Sequence, residues 1–91
     1  EKIRIVLPLY NELIKATRLE PGCLAYHLYH DIKQPGHFVF IEEWKDRAAL
    51  DQHVQSAHFQ RLVPLIDQHS CQAARFTHLQ EVNEFSIESQ G

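Results

Sequence analysis

Cysteine is scarce in this sequence of 91 residues: only Cys23 and Cys71 are present, and they form no CxxC pair. Small secreted domains that cannot build a large core usually carry several disulfides. A single pair of distant thiols is more typical of a reducing compartment. We therefore predict two reduced cysteines in a cytoplasmic protein.

Long apolar runs and an excess of basic residues are also absent. No stretch approaches the roughly 20 apolar residues that cross a bilayer, which argues against a membrane partner. The nine Lys and Arg residues are scattered and are outnumbered by 12 Asp and Glu, giving a net charge of -3. Because nucleic-acid binding needs a basic stripe that displaces counterions from phosphates, we expect no nucleic-acid partner.

Histidine, by contrast, is abundant, with seven copies in the chain. Metal sites that can be recognised in a sequence show HExxH or clustered Cys and His residues, and neither pattern occurs. His27 and His30 are three residues apart in a predicted strand, so they point to opposite faces. The sequence predicts no metal site.

The first 22 residues predict a helix and its stop signal. Pro8 removes one backbone hydrogen bond and should bend a helix over residues 2–19. The alternative is a short strand over residues 2–7, with Pro8 as the first helical residue. The unbroken helical phase favours the bent helix, and Pro21-Gly22 ends it. Its inward face comprises Ile3, Val6, Leu7, Tyr10, Leu13, Ile14 and Thr17.

Two strands and a hairpin loop follow. Residues 23–31 alternate, with Leu24, Tyr26 and Leu28 on one face. Because both faces are fairly apolar, we expect cover on both sides. Residues 31–36 are typical of a hairpin loop, and residues 37–44 predict the second strand.

One face of this second strand carries an acid among aromatic residues. Glu42 alternates with Phe38, Phe40 and Trp44. A buried carboxylate there would need a partner or a raised pKa. We favour the other interpretation, in which Glu42 lies at the rim of the sheet and is hydrogen-bonded to a neighbouring strand.

The second half of the chain predicts two helices and a strand. Asp46 and Ser56 are good N-caps for helices over residues 47–55 and 57–69, and Pro64 should bend or split the latter. Residues 72–82 predict the last strand. We assign residues 1–91 to a single domain, with a core over about residues 2–82 and a polar C-terminal arm over residues 83–91.

The element order is therefore helix, strand, strand, helix, helix, strand. A ferredoxin-like β-α-β-β-α-β unit needs one more strand in front of the first helix. We predict an α+β fold of this class, with an antiparallel sheet that carries its helices on one face and with the first strand missing from the sequence.

A set of spaced residues across most of the chain resembles the antibiotic biosynthesis monooxygenase (ABM) domain family, which includes quinol and anthrone oxygenases. The resemblance extends over about residues 6–79, and its spacing is fairly specific for the fold and weak for the reaction. The residues that carry it are Glu20-Pro21-Gly22-Cys23, Tyr26, Leu28, Asp31, Phe38, Glu42, Trp44, Ala49-Leu50, His53, Ser56, His58 and Phe59.

The resemblance implies a dimeric α/β barrel, in which the sheets of two copies face each other. This agrees with the apolar character of both strand faces, because a monomer of this size would otherwise expose a large apolar patch. We therefore expect a homodimer formed through the sheet faces.

The resemblance also implies a reaction. Oxygenases of the family are described as needing no metal, flavin or haem, so we expect no cofactor. The substrate is a small aromatic molecule, quinol-like or polyphenolic, whose anion reduces O2. The protein must then supply an aromatic-lined pocket and a base that titrates near neutral pH.

Candidate residues for these roles are present. His53 or His58 could take the proton, and His58 lies in the first turn of a helix, where the dipole disfavours its positive form. Arg75 or Tyr29 could stabilise an oxyanion. The expected substrate-binding walls are Trp44, Tyr26, Phe38, Phe40 and Phe59, with Arg75.

Each candidate also has an ordinary structural explanation. Trp44 could simply pack in the core, and His53 could be bonded within its own helix. Two other functions stay open: a non-oxidative isomerase acting on a small metabolite, or a non-catalytic ligand-binding or stress-response dimer. The haem-degrading branch of the family stays open as well. It uses a polar residue on the first strand, and that strand is missing from the sequence.

Overall fold

A computed structural model describes residues 2–70 and 72–82. Its elements are α1 (Lys2–Arg18), β1 (Cys23–His30), β2 (Phe38–Trp44), α2 (Arg47–Val54), α3 (Ala57–Gln68) and β3 (Arg75–Leu79). This order and the α+β, ferredoxin-like class confirm the sequence prediction. The predicted arm over residues 83–91 lies outside the described residues.

Helix α1 continues through Pro8, so the bent-helix interpretation is right and the short-strand alternative is wrong. The helix packs on α3 and β1 through a buried stripe that includes Val6, Tyr10 and Leu13. Ile3 and Leu7 were expected to face inward, yet they are 47% and 43% exposed, because the buried stripe is narrower than the apolar face. None of the described helices is long and apolar enough to span a membrane.

Strands β1 and β2 form the expected antiparallel hairpin, and Tyr26 pairs with Glu42 across it. The loop turns through Gly36, whose φ of 88° favours glycine. The register shifts between Cys23 and Ala25. Leu24, which lies in this irregularity, is 58% exposed, and it therefore does not share the buried environment of Tyr26, contrary to expectation.

Strand β3 pairs with β2 in parallel, in the sheet order β1-β2-β3. The expectation of an antiparallel sheet therefore holds for β1–β2 and is wrong for β2–β3. The reason is the two-helix connection, which returns the chain to the starting end of β2 before β3 begins. The parallel register places Phe76 beside Phe40 and His78 beside Glu42.

The core lies between the sheet and the helices. Tyr26, Phe40 and Trp44 of the sheet are fully or almost fully buried, as is Leu62 of α3. Nothing in residues 2–70 and 72–82 covers the opposite sheet face: Tyr29, Ile41 and Leu79 are 52%, 39% and 48% exposed. The helices thus cover one face only, as predicted.

Both predicted N-caps are confirmed. The Asp46 side chain accepts a hydrogen bond from the Ala49 backbone N–H, and the Ser56 hydroxyl accepts one from the Phe59 N–H. Helix α3 continues through Pro64 and is not split. The two capped helices fix the orientation of His53 and His58, which they carry.

Candidate functional site

A single carboxylate oxygen joins the two candidate histidines. Glu20 Oε2 lies 2.7 Å from His53 Nδ1 and 2.7 Å from His58 Nε2. Glu20 belongs to the turn after α1, whereas the histidines lie near the end of α2 and the start of α3. The interpretation of His53 as bonded within its own helix is therefore wrong. The Glu20–His53–His58 cluster ties three separate segments together.

The turn that carries Glu20 is held against α2 by a close approach. A Cβ atom built on Gly22 would lie 2.2 Å from Ala49 Cβ, a separation that real Cβ atoms essentially never show. The Gly22 carbonyl also accepts a hydrogen bond from Lys45 N at 2.9 Å. The absence of a side chain at Gly22 therefore lets Glu20 reach the two histidines.

Aromatic rings surround His53. Its ring centroid lies 4.7 Å from that of Trp44, 5.0 Å from that of Phe59 and 5.5 Å from that of Tyr26. Trp44, His53, His58 and Phe59 thus meet over one face of the sheet. The imidazole of His53 is packed on several sides and has a side-chain exposure of 1%.

Burial lowers the pKa of His53, while its hydrogen bond to Glu20 and the charge of Glu20 oppose this effect. The neutral form is therefore favoured at neutral pH. With Nδ1–H donating to Glu20, the free lone pair is on Nε2. Among the described residues, Nε2 is buried and has no hydrogen-bond partner.

Glu42 is the second buried carboxylate, with 0% exposure. The Trp44 indole N–H donates to its Oε1 at 2.8 Å, and Oε2 has no partner among the described residues. Burial raises the pKa of Glu42 to about 7, against the effect of the Trp44 hydrogen bond. The predicted position at the sheet rim is wrong, because β3 pairs along β2 and makes it the central strand.

A cavity of about 600 Å³ opens between α2 and the end of β3. Trp44 and His78 lie in its wall, and its apolar side is formed by Leu50, Val54 and Leu79. The other lining residues are polar: Asp46, Arg47, Asp51, Gln55 and Gln80. Neither His53 nor His58 contributes to this wall. Of the sequence candidates, only Trp44 does.

The remaining candidates lie elsewhere. Tyr26 and Phe40 are 0% exposed and belong to the packed core, and Phe59 packs between His53 and Phe76. Phe38 and Arg75 line a smaller cavity of about 220 Å³ at the hairpin-loop end of the sheet. Arg75 pairs with Val39 near the start of β2, so it is separated by most of a strand from Trp44.

The Glu20–His53–His58 cluster also has the donor set of a metal site. Its three ligand atoms lie within 4.8 Å of one another, and two imidazoles with one carboxylate suit divalent transition metals. The two rings are hydrogen-bonded to the same carboxylate oxygen. No spacing pattern in the sequence indicates this cluster, because 33 residues separate Glu20 from His53.

Sequence reasoning missed three residues of this region. Glu20 was named only among the residues that carry the family resemblance and was given no role in the site. Glu42 was noticed through its aromatic neighbours and assigned to the wrong environment. His78 was given no role in the site, and its position beside Glu42 depends on the parallel register, which no local pattern reveals.

The comparisons with known proteins identify the family. The family model for antibiotic biosynthesis monooxygenase matches residues 1–65, and the chain belongs to this family. A crystal structure of an antibiotic biosynthesis monooxygenase is 67% identical, with a TM-score of 0.72 over 77% of this chain and 74% of that chain. A conserved protein from Methanosarcina mazei Go1 is 36% identical, with a TM-score of 0.75 over 79% of this chain and 71% of that chain.

Curated relatives are similar over shorter parts. An uncharacterized protein of Synechocystis sp. is 40% identical over 63% of this chain and 39% of its own length. YcnE of Bacillus subtilis, named as a candidate monooxygenase, is 36% identical over 69% of this chain and 66% of its own. The match therefore spans between about two fifths and two thirds of these relatives.

Proposed function

We propose that this protein is a monooxygenase that oxidises a quinol-like or polyphenolic aromatic substrate with O2 and without a cofactor. For a hydroquinone, one oxygen atom of O2 enters the ring and the other leaves as water. The hydroquinone supplies all four electrons and leaves as a hydroxyquinone. The protein binds the substrate, removes its proton and excludes water from the intermediate.

The observation that carries this proposal is the position of Trp44 in the wall of the large cavity. Trp44 is almost fully buried, but the part of its indole that borders the cavity is aromatic, and Leu50 and Val54 also line the cavity. A cavity of this size lies within the usual range for small-molecule sites. Family membership and the candidate monooxygenase YcnE support the class of reaction.

The same proposal includes a homodimer formed through the uncovered sheet face. Tyr29, Ile41 and Leu79 expose apolar surface on that face, and large exposed apolar areas are typical of interaction surfaces. We expect Ile41→Glu to shift the protein from dimer to monomer in sedimentation velocity. The matched control is Ile32→Glu in the hairpin loop, where the side chain is 89% exposed. Equal sedimentation of both variants would refute this interface.

Oxygen uptake tests the reaction. We expect the purified protein to consume O2 with members of a panel of hydroquinones and polyphenols, under conditions in which the free compounds are stable. Trp44→Ala should reduce the rate roughly 100-fold, if positioning against the indole is required. The exposed-residue variant Ile32→Glu serves as the control. No uptake across the panel would contradict the proposal.

A non-catalytic ligand-binding dimer is the second candidate, and one observation favours it. His53, one of the two expected bases, is fully buried in a packed cluster, and neither His53 nor His58 borders the cavity. This alternative predicts that an aromatic ligand quenches Trp44 fluorescence without O2 consumption or product formation. Quenching together with turnover would exclude it.

A further inference from the structure

The wall of the large cavity contains an acid–base pair that the family resemblance does not supply. His78 lies in the wall, and its Nε2 is 3.7 Å from Glu42 Oε1. Glu42 lies beneath the wall and is fully buried. A histidine at the surface of a cavity is thus paired with a carboxylate that solvent does not reach.

The surrounding structure fixes the positions of both members. The parallel pairing of β2 and β3 places His78 directly beside Glu42. The His78 ring stacks on Phe76 with an interplanar angle of 13°, and the indole of Trp44 holds Glu42 Oε1 at 2.8 Å. The ring and the carboxylate are therefore supported by separate contacts.

We propose that His78, positioned by Glu42, takes the proton from a hydroxylated aromatic ligand bound in the cavity between α2 and β3. The proposal rests on the proposed function for the class of ligand. The ligand O–H bond breaks, the proton moves to an unprotonated ring nitrogen of His78, and the electron pair stays on oxygen as a phenolate. The imidazolium is then stabilised by Glu42.

Several observations support His78 over the two sequence candidates. His53 is enclosed by Trp44, Tyr26 and Phe59, and His58 is engaged by Glu20. The His78 side chain is 39% exposed and borders the cavity. Separations of 3.7 Å between paired groups in a free protein often shorten when a ligand excludes water.

The charges around the pair come from every neighbouring element. Burial lowers the pKa of His78 and the charge of Arg47 of α2 adds to this effect, so the unprotonated base is favoured. Glu20 of the turn adds to the raised pKa of Glu42, whereas the Trp44 N–H opposes it. From β1, Tyr26 faces Glu42 and remains neutral because burial raises its pKa. From α2, the neutral form of His53 is favoured because burial lowers its pKa. Asp46 and Asp51 also line the cavity.

The test uses 4-nitrophenol, whose phenolate is yellow and which does not reduce O2. Binding is followed by quenching of Trp44, which is the only tryptophan, and ionisation is followed by absorbance in the same titration. The wild-type protein should increase the ionised fraction of the bound compound. His78→Gln should lower the ratio of phenolate to phenol about tenfold or more, which corresponds to one unit of ligand pKa.

Three further variants make the assignment specific. Glu42→Gln retains an acceptor for the Trp44 N–H, and it should shift the pH profile of ligand ionisation while binding persists. His30→Gln, at an exposed histidine of β1, is the control and should behave as wild type. His58→Gln tests the competing base, and ligand ionisation in this variant should still depend on His78. Far-UV circular dichroism confirms that each variant is folded.

The proposal is overturned if the wild type neither binds nor ionises 4-nitrophenol. It is also overturned if His78→Gln ionises the ligand as wild type does, or if His58→Gln loses ionisation instead. Oxygen uptake is measured separately. Absence of uptake together with His78-dependent ionisation would refute the oxygenase function and leave the assignment of His78 standing.

Discussion

Gly22→Ala should destabilise the fold through one atomic contact. The new Cβ would lie 2.2 Å from Ala49 Cβ, whereas carbon atoms in favourable contact are about 3.5–4.0 Å apart. The turn and α2 must therefore separate by more than about 1 Å. Overpacking of this kind typically costs about 1–3 kcal/mol. Both contact atoms are Cβ atoms, which the backbone holds rigidly, so neither can rotate away. We therefore expect a loss of about 3 kcal/mol in the free energy of unfolding, at the upper end of this range.

Urea unfolding followed by Trp44 fluorescence measures this cost, with all variants compared at one protein concentration. Ala49→Gly is the matched partner, because it removes the Cβ that the new methyl group would meet. Alone it should cost about 1 kcal/mol through the helix propensity of glycine. When Ala49→Gly is also present, the nearest atom to the new Cβ is the Cα atom at this position, 3.5 Å away, which is an ordinary contact distance.

The double variant should therefore be more stable than Gly22→Ala alone, despite carrying two destabilising substitutions. Additive costs in this double-mutant cycle would refute the steric explanation. A wild-type stability for Gly22→Ala would refute it more directly. Either result would also remove the reason given for the close approach of the Glu20 turn to α2.

Three other outcomes are expected. Glu42 has its pKa raised from 4.5 to about 7 in the folded state, so its contribution to stability is present below pH 4.5 and is lost as the pH rises through 7. The loss is roughly 3 kcal/mol, and denaturation series between pH 5 and 9 should show it in the wild type and not in Glu42→Gln. Glu20→Gln should lower the free energy of unfolding in urea by about 1–3 kcal/mol, because two imidazoles lose a charged acceptor. The control is Asp51→Asn in the exposed Arg47–Asp51 pair, which should cost under about 1 kcal/mol. Equal costs would contradict the role of Glu20. Oxygen uptake should persist after EDTA treatment and dialysis, and restoration of lost activity by a divalent transition metal would instead assign a metal to Glu20, His53 and His58.

The local signals in the sequence predicted the elements well. The caps at Asp46 and Ser56 act within three residues, and the alternation around Tyr26 and Phe40 reflects a periodicity that backbone geometry imposes. Such features depend on neighbours in the chain. They can therefore be inferred without knowing how distant segments pack.

The predictions that failed concern contacts between segments that are far apart in the sequence. Glu42 is buried because β3 lies beside β2, and His78 meets it only in the parallel register. Glu20 reaches His53 and His58 because Gly22 permits a close approach to α2. Neither contact leaves a periodic or spaced pattern in the sequence, so neither could be predicted. Of the aromatic candidates, Trp44 alone lies in the wall of the large cavity.

Strand β3 also has a consequence for hydrogen exchange. It has one hydrogen-bonded neighbour in the described sheet, and four of its five residues are exposed. Segments with so little buried contact open locally at a lower free energy than the core. Amide protons of β3 should therefore exchange sooner than those of β2. Each such opening would separate His78 from Glu42 while Trp44 and the core stay folded, so the lifetime of the acid–base pair is set by the least protected strand of the sheet.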